Sequence, residues 1–245
     1  PIDILMRLAQ KWCHSPYESY DSIQSQLGIA RPFLVHVYGI FRDLAQSWFE
    51  REALRTPLGG HGKIVEIDES VMFRRKYHRG KVLRKQVWVF GMVERKSNRV
   101  GMFIVKRRNA ATLLPLIAKH VAPGTKVVSD GWAAYRGIPY LQQQFDHKWV
   151  NHKLHFVDPT DPELHTQSVE SMWGAAKKII KRIQNLSTDE LKGYLCQYMF
   201  RRRYQKEKMV NKLITEMSLY DPDDENLSDL DENSEDDQGD DIVEE

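Results

Sequence analysis

Apolar side chains recur at helical spacing through the first 56 residues of the chain. Leu8 and Trp12, for example, are spaced as on one face of a helix. Gly28 ends a second, short predicted helix. Pro32 marks the start of a third, because proline is tolerated in the first turn of a helix. Two helices joined by a glycine-containing turn predict a helix-turn-helix domain within residues 1–56. It serves either DNA binding or only packing on the next domain.

A glycine-rich and proline-containing linker, residues 57–62, separates these helices from a region of different periodicity. Short apolar or alternating runs predict strands over 63–68, 86–93, 100–106, 125–129 and 148–151. Helical spacing predicts helices over 110–121, 132–135, 165–183 and 188–217. The resulting order of strands and helices predicts an α/β fold for residues 63–219. Its expected form is a ribonuclease H-like mixed sheet flanked by helices.

Charge is distributed unevenly along the chain. Residues 221–245 hold 14 acidic and no basic side chains, and subtracting these negative charges from the net charge of +2 leaves +16 for residues 1–220. A body this basic suits a polyanionic partner. The acidic segment predicts a disordered tail over residues 220–245. It either only keeps the protein in solution or occupies the basic surface until DNA displaces it.

Cysteine content and hydropathy argue against two other classes of protein. The two cysteines, Cys13 and Cys196, lack metal-ligand spacing and fit buried apolar positions. No run of residues approaches the ~18–20 continuous apolar positions that a membrane span requires. The sequence therefore predicts neither a disulfide-rich nor a membrane-spanning protein.

Three acidic residues occupy positions where an α/β sheet places a ligand site. Asp68 belongs to the first strand, Asp130 ends the fourth, and Glu170 lies near the start of a long helix. Three carboxylates with open ligand positions are typical of a centre that holds two Mg²⁺ or Mn²⁺ ions for phosphodiester chemistry. Lys177 projects from the same helix face as Glu170 and is expected to contact a phosphate, with a solvated lysine as the alternative.

Two further acidic residues flank Asp68. Glu66 shares its strand face, because side chains alternate with a period of two, and is an alternative metal ligand. Glu69 points to the opposite face and is expected to be structural.

Basic residues are concentrated between the first two predicted strands. The run predicts a hairpin that follows the phosphates of DNA, with a solvated loop as the alternative. Its expected DNA contacts are Arg74, Arg75, Lys76, Arg79, Lys81, Arg84 and Lys85. Outside the run, the expected contacts are Arg31, Lys181, Arg182, His152 and His165. A hydrogen-bonded structural role is the alternative for both histidines.

Several motifs in this order resemble the Merlin transposases, which are eukaryotic and share this domain with bacterial insertion-sequence transposases. The motifs are residues 64–70 (IVEIDES), 77–80 (YHRG), 88–91 (WVFG), 129–135 (SDGWAAY) and 165–173 (HTQSVESMW). The resemblance covers about residues 60–205. It implies a DDE-type cut-and-paste enzyme in which Asp68, Asp130 and Glu170 form the metal-binding catalytic triad. In a eukaryotic host it would act in the nucleus.

The leading hypothesis is therefore a DNA transposase that cleaves at transposon ends and joins the freed 3′-OH to target DNA. Both ends of the element must be held together, so a homodimer or higher oligomer on double-stranded DNA is expected. The alternative is a domesticated DNA-binding protein without cleavage activity. A third possibility is a structure-specific nuclease.

Overall fold

The computed structural model describes residues 2–72, 86–150, 161, 163–183 and 186–220. Its N-terminal part consists of α1 (Ile2–His14), α2 (Tyr20–Leu27) and α3 (Arg31–Arg51). Within the described residues, no helix is long and apolar enough to cross a membrane.

The turn between α2 and α3 follows from local sequence. The Ser19 hydroxyl accepts a hydrogen bond from the backbone N–H of Ser22 and so caps the start of α2. Gly28 ends α2 with a φ of 63°, which glycine adopts without strain. Pro32 lies in the first turn of α3. The predicted helices are thus present, and DNA recognition by them stays a prediction.

The central sheet has five strands in the order β4-β3-β2-β6-β7. The strands of the protein are β1 (Leu58–Gly59), β2 (Ile64–Val71), β3 (Trp88–Glu94), β4 (Val100–Val105), β5 (Val121–Ala122), β6 (Lys126–Asp130) and β7 (Asp146–Val150). In the sheet, β3 is antiparallel to β2 and β4, whereas β6 is parallel to β2 and β7. The predicted mixed sheet is confirmed. The predicted linker over 57–62 contains β1, which pairs with β5.

The remaining helices are α4 (Ala110–His120), a 3₁₀ helix (Ala133–Tyr140), α5 (Gln167–Ile180), α6 (Thr188–Arg203) and α7 (Lys206–Leu219). The single helix predicted over 188–217 is wrong, because Tyr204 is extended and separates α6 from α7. The Tyr204 hydroxyl accepts a hydrogen bond from Trp48 at 2.8 Å and donates one to Glu52 at 3.0 Å. These contacts with α3 and its C-cap residue hold the chain out of helical geometry.

The two largest clusters of buried apolar residues lie on the two faces of the sheet. On one face, apolar residues of β2 and β3 pack against α4 and the 3₁₀ helix, as Ile67 does near Tyr135. On the other face, Val89 belongs to a core that also contains residues of α5 and α6. The same core includes Trp12 and Trp48 of the N-terminal helices. The N-terminal helices therefore pack together with the helices that cover the sheet.

Gly91 allows α5 to lie directly on the sheet. It pairs with Asp68 across β2 and β3. A Cβ at this position would lie 2.5 Å from Trp173 Cζ2 and 2.6 Å from Met172 Cε. Because real Cβ atoms do not approach so closely, glycine is required here for the contact between sheet and helix.

Substitution of Gly91 by Ala is expected to destabilise the protein by about 1–3 kcal/mol, the usual cost of overpacking. Urea unfolding at equilibrium measures this loss. Gly174→Ala is the matched control, because a Cβ there meets nothing within 4 Å in the middle of α5. That control is expected to stabilise the protein by up to about 1 kcal/mol through helix propensity. Equal stability of Gly91→Ala and wild type would show that α5 does not pack this closely.

Candidate active site

Asp68 and Asp130 lie beside each other on neighbouring parallel strands. β2 and β6 pair with Glu66 opposite Val128. Continuation of the same register by two residues brings Asp68 level with Asp130, and the charge of Asp130 acts on the Asp68 carboxyl group. Asp130 is the last residue of β6, and its Oδ1 accepts a hydrogen bond from the backbone N–H of Trp132 at 2.9 Å. Both acids thus lie toward the carboxyl ends of the parallel strands, where such sheets place their ligands.

Helix α5 brings the third predicted acid to the same side of the sheet. Glu170 lies in the first turn of α5, and its Oε1 accepts a hydrogen bond from Thr166 Oγ1 at 3.3 Å. One turn later, Trp173 Nε1 donates to Asp68 Oδ2 at 3.0 Å. This contact fixes α5 relative to β2, and it places Glu170 near enough to Asp68 to affect the charge of that carboxyl group.

The environment of Asp68 disfavours its charged form and raises the pKa of its carboxyl group to about 6. Burial is the largest cause, and the negative charges of Asp130 and Glu170 act in the same direction. Hydrogen bonds from the backbone of Glu69 and the side chain of Trp173 oppose the rise. A cation bound among the three acids would offset this repulsion and favour ionised Asp68.

The raised pKa predicts how stability without metal depends on pH. A carboxyl group whose pKa is higher in the folded than in the unfolded protein stabilises the fold at low pH. For Asp68 that contribution is lost as the pH rises from about 4 through 6, and the free energy of unfolding falls by up to about 3 kcal/mol. Asp68→Asn is therefore expected to be more stable than wild type in EDTA, with a larger difference at pH 7.5 than at pH 4.5. Urea unfolding at both pH values measures it, and a difference that does not change with pH would contradict the assignment.

A cleft of about 1150 Å³ lies over the two aspartates. Lys177 of α5 and Lys181 at its C-terminal end line the same cleft. The geometry thus brings Lys177 and Lys181, both expected to contact phosphate, into the space that contains Asp68 and Asp130.

An arginine between two tryptophans also lines this cleft, and the sequence reasoning did not single it out. The guanidinium of Arg108 lies 3.7 Å from the ring centroid of Trp88 and 5.2 Å from that of Trp132. Trp132 Nε1 donates to the backbone oxygen of Arg108 at 3.1 Å, and the Trp132 side chain is 43% exposed. The position of Trp132, two residues after Asp130, was the available signal.

Residues 52–203, more than half of the chain, match the family described as the ISXO2-like transposase domain. The chain belongs to this family. An uncharacterized transposase-like protein of Haemophilus influenzae is similar to this transposase domain. The two are 25% identical over 104 residues, which make up 42% of this chain and 80% of the relative.

Two solved structures are similar to this transposase domain at low identity. A chain of the simian T-cell lymphotropic virus intasome in complex with PP2A regulatory subunit B56 gamma is 16% identical, with a TM-score of 0.37. That match covers 78% of this chain and 68% of the other. A chain of a pre-cleavage Mos1 transpososome is 10% identical, with a TM-score of 0.26, over 84% of this chain and 77% of the other.

The donor set of the transposase domain suits a hard divalent cation in its chemistry, because Asp68, Asp130 and Glu170 offer only carboxylate oxygens. Among the residues that the structure describes, no group of three or more His, Cys, Asp or Glu side chains is arranged to hold a metal ion. Each of the three carboxylates instead accepts a hydrogen bond from a nearby protein group.

Glu66 is not available as a metal ligand, which corrects the alternative drawn from the sequence. Its side chain is fully buried, and Oε1 lies 2.6 Å from Arg95 Nε in an ion pair. Its Oε2 accepts a hydrogen bond from the backbone N–H of Val169 at 2.9 Å. His165 lies 3.5 Å from Glu66 and 3.2 Å from Arg95. His165 was expected to contact DNA, with a hydrogen-bonded structural role as the alternative. Its contacts with Glu66 and Arg95 are those of a structural histidine.

Glu69 points to the opposite face of β2 from Asp68, as its position in the strand predicts, but it also lines the edge of the cleft over the aspartates. The Tyr135 hydroxyl donates a hydrogen bond to it from the opposite face of the sheet. Burial raises the pKa of Glu69 to about 7, and the hydrogen bond from Tyr135 opposes that rise. Glu69 therefore joins β2 to the 3₁₀ helix beneath the sheet.

Of the other residues predicted to contact DNA, only Arg31 and Arg182 lie among the described residues. Arg182 donates to the backbone oxygen of Tyr17 at 2.7 Å and does not line the cleft over the aspartates. Arg31 forms an exposed ion pair with Asp21 at 2.8 Å. Arg74, Arg75, Lys76, Arg79, Lys81, Arg84, Lys85 and His152 lie outside the described residues, as does the acidic tail.

Proposed function

We propose that this chain is a DDE-type DNA transposase, which cleaves DNA at transposon ends and joins the freed 3′-OH to target DNA. The observation that carries the proposal is the position of Asp68. It is a strand aspartate with a raised pKa, set beside Asp130 and under the influence of Glu170. The family match to a transposase domain supports the same reaction class. The sequence motifs further support a Merlin-type element and, in a eukaryotic host, action in the nucleus.

Each residue of the site has a role in this proposal. Asp68, Asp130 and Glu170 would hold two Mg²⁺ or Mn²⁺ ions. When bound, these ions supply activation of the attacking oxygen and stabilisation of the leaving one. The ammonium group of Lys177 would neutralise a phosphate next to the scissile bond, and Lys181 would hold the DNA further along the cleft. No side chain serves as a nucleophile, so the protein forms no covalent bond to DNA.

A strand-transfer assay tests the proposal. The substrate is a labelled duplex that carries the terminal repeat flanking the coding sequence, with Mg²⁺ and a supercoiled target plasmid. Joining of the labelled 3′ end to the plasmid is the expected result. Cleavage without joining would assign a nuclease, and binding without cleavage would assign a domesticated DNA-binding protein. Product analysis under native conditions would also show whether two ends are held by a homodimer or a higher oligomer.

Metal binding has its own expected signature. Mn²⁺ should raise the melting temperature of the protein at pH 7.5, because a ligand that binds only the folded state stabilises it. The increase should be smaller at pH 5, where Asp68 is mostly protonated and a proton competes with the ion. Differential scanning fluorimetry measures both shifts. An equal increase for Asp68→Asn would place the metal elsewhere.

A further inference from the structure

A second cavity, of about 720 Å³, lies between the N-terminal helices and the C-terminal end of α5. Four arginines and four tyrosines line it, among them Arg42, Arg182, Tyr17 and Tyr194, and we call it the arginine–tyrosine cavity. Ile183 lines both this cavity and the cleft over the aspartates. The two spaces therefore adjoin at the end of α5.

Two arginines of this cavity, Arg42 and Arg182, lie against aromatic rings rather than against acids. The guanidinium of Arg42 lies 4.6 Å from the ring centroid of Tyr194. That of Arg182 lies 5.3 Å from the centroid of Tyr17. Among the described residues, neither arginine forms an ion pair with a carboxylate. Stacking leaves the N–H edge of Arg42 able to bind phosphate, whereas one N–H group of Arg182 already donates to the backbone oxygen of Tyr17 at 2.7 Å.

A third arginine of the cavity, Arg201, is partly buried. Arg201 lies 4.7 Å from the ring centroid of Trp12 and donates to its backbone oxygen, and it too forms no ion pair with a described carboxylate. Burial lowers the pKa of Arg201 to about 10. Arg201 Nε and the Tyr38 hydroxyl are both buried without a hydrogen-bond partner in the described structure. Buried polar groups normally have hydrogen-bond partners, and a ligand in the cavity that accepts hydrogen bonds would supply one for each of these two groups.

The two acids of the cavity do not neutralise these arginines. Glu18 is paired with Lys11 at 3.0 Å, and Asp21 is paired with Arg31 at 2.8 Å. The cavity therefore retains the positive charge of three guanidinium groups.

We propose that the arginine–tyrosine cavity binds a nucleotide of an unpaired DNA strand that leaves the carboxylate cleft. Guanidinium groups would bind its phosphate, and tyrosine rings would stack on its base. The volume is that of a small-molecule site and far too small for a duplex, so a single strand is the form that fits. This inference rests on the proposed transposase function and adds a binding site to it.

The test compares a blunt duplex with two extended duplexes, all labelled, by fluorescence anisotropy in EDTA, where no cleavage takes place. Each extended duplex is the same duplex with a single-stranded extension, at the 3′ end in one and at the 5′ end in the other. Wild type is expected to bind one extended duplex about tenfold more tightly than the blunt one. Arg42→Gln and Arg182→Gln should each remove most of this preference and leave the affinity for blunt duplex nearly unchanged.

Two controls make the result specific. Arg55→Gln removes an exposed arginine outside the cavity and should keep the preference for the extended duplex. Arg42→Lys keeps the charge but loses the planar fork of donors, so it should retain part of the preference. Melting temperatures verify that each variant is folded.

The failure of this inference can be told apart from failure of the proposed function. Strand transfer by a wild-type protein that binds blunt and extended duplexes equally would overturn the cavity alone. A second outcome is that wild type never cleaves DNA, while Arg42→Gln and Arg182→Gln both lose the preference for the extended duplex. That outcome would support the binding site in the cavity and contradict the transposase proposal. Folded Arg42→Gln and Arg182→Gln variants that keep the full preference would also overturn the cavity.

Discussion

Asp68→Asn is expected to lower the rate of DNA cleavage by at least about a thousandfold. Loss of this carboxylate disrupts a metal centre that supplies several kcal/mol of transition-state stabilisation, and each 1.36 kcal/mol corresponds to a factor of ten. DNA binding should be unchanged or tighter, because a negative charge is removed from the cleft that receives phosphates. Single-turnover cleavage and anisotropy measure the two effects separately.

Asp146→Asn is the matched control for this variant. Asp146 also lies in the central sheet, but it begins β7, at the opposite end of the parallel strands from Asp130, and its side chain is 59% exposed. Cleavage at the wild-type rate is expected. Persistent cleavage by Asp68→Asn would show that the metal centre has been placed on the wrong residues.

Arg95→Met is expected to destabilise the protein by about 3–5 kcal/mol, because it leaves the buried charge of Glu66 without a partner. Arg95 also donates to the backbone oxygens of Glu163 at 2.7 Å and His165 at 2.8 Å, just before α5. The start of α5, and with it Glu170, should therefore become less well ordered. Urea unfolding measures the stability, and hydrogen exchange of the first turn of α5 measures the local effect.

The double variant Glu66→Leu/Arg95→Met separates the buried charge from lost packing. Removal of both charges should restore much of the stability that Arg95→Met loses, since apolar replacements of a buried pair are often tolerated. The exposed pair of Arg31 and Asp21 supplies a contrast, and its removal by Arg31→Ala should change stability by less than about 1 kcal/mol. If the double variant is no more stable than Arg95→Met, the unpaired buried charge of Glu66 is not the cause of the destabilisation.

The order of elements and the places of the three acids could be predicted from sequence because each depends on local pattern. Strand periodicity placed Asp68 and Glu69 on opposite faces of β2, as observed. Glu66 lies on the same face of β2 as Asp68, so the strand pattern alone does not distinguish the two. Glu66 is structural because it is paired with Arg95, which lies 29 residues away in sequence. A partner at that separation leaves no signal in a single sequence.

Other features depended on contacts between distant elements in the same way. Tyr204 breaks a helix without glycine or proline nearby, because its hydroxyl is held by residues of the N-terminal part. Arg182 was expected to contact DNA, but helical spacing gives the direction of its side chain only roughly. Its hydrogen bond to Tyr17 directs it into the neighbouring cavity instead.

The core that the N-terminal helices share with the helices covering the sheet has a mechanical consequence. Trp48 of α3 and Phe200 of α6 are in edge-to-face contact, with ring centroids 5.2 Å apart. A segment of DNA held by α2 and α3 would thus lie at a fixed distance from Asp68. The number of base pairs between the recognised sequence and the cut would then be set by side-chain packing rather than by the reach of a linker. An insertion of a single base pair between the recognised sequence and the cleavage position should consequently reduce cleavage.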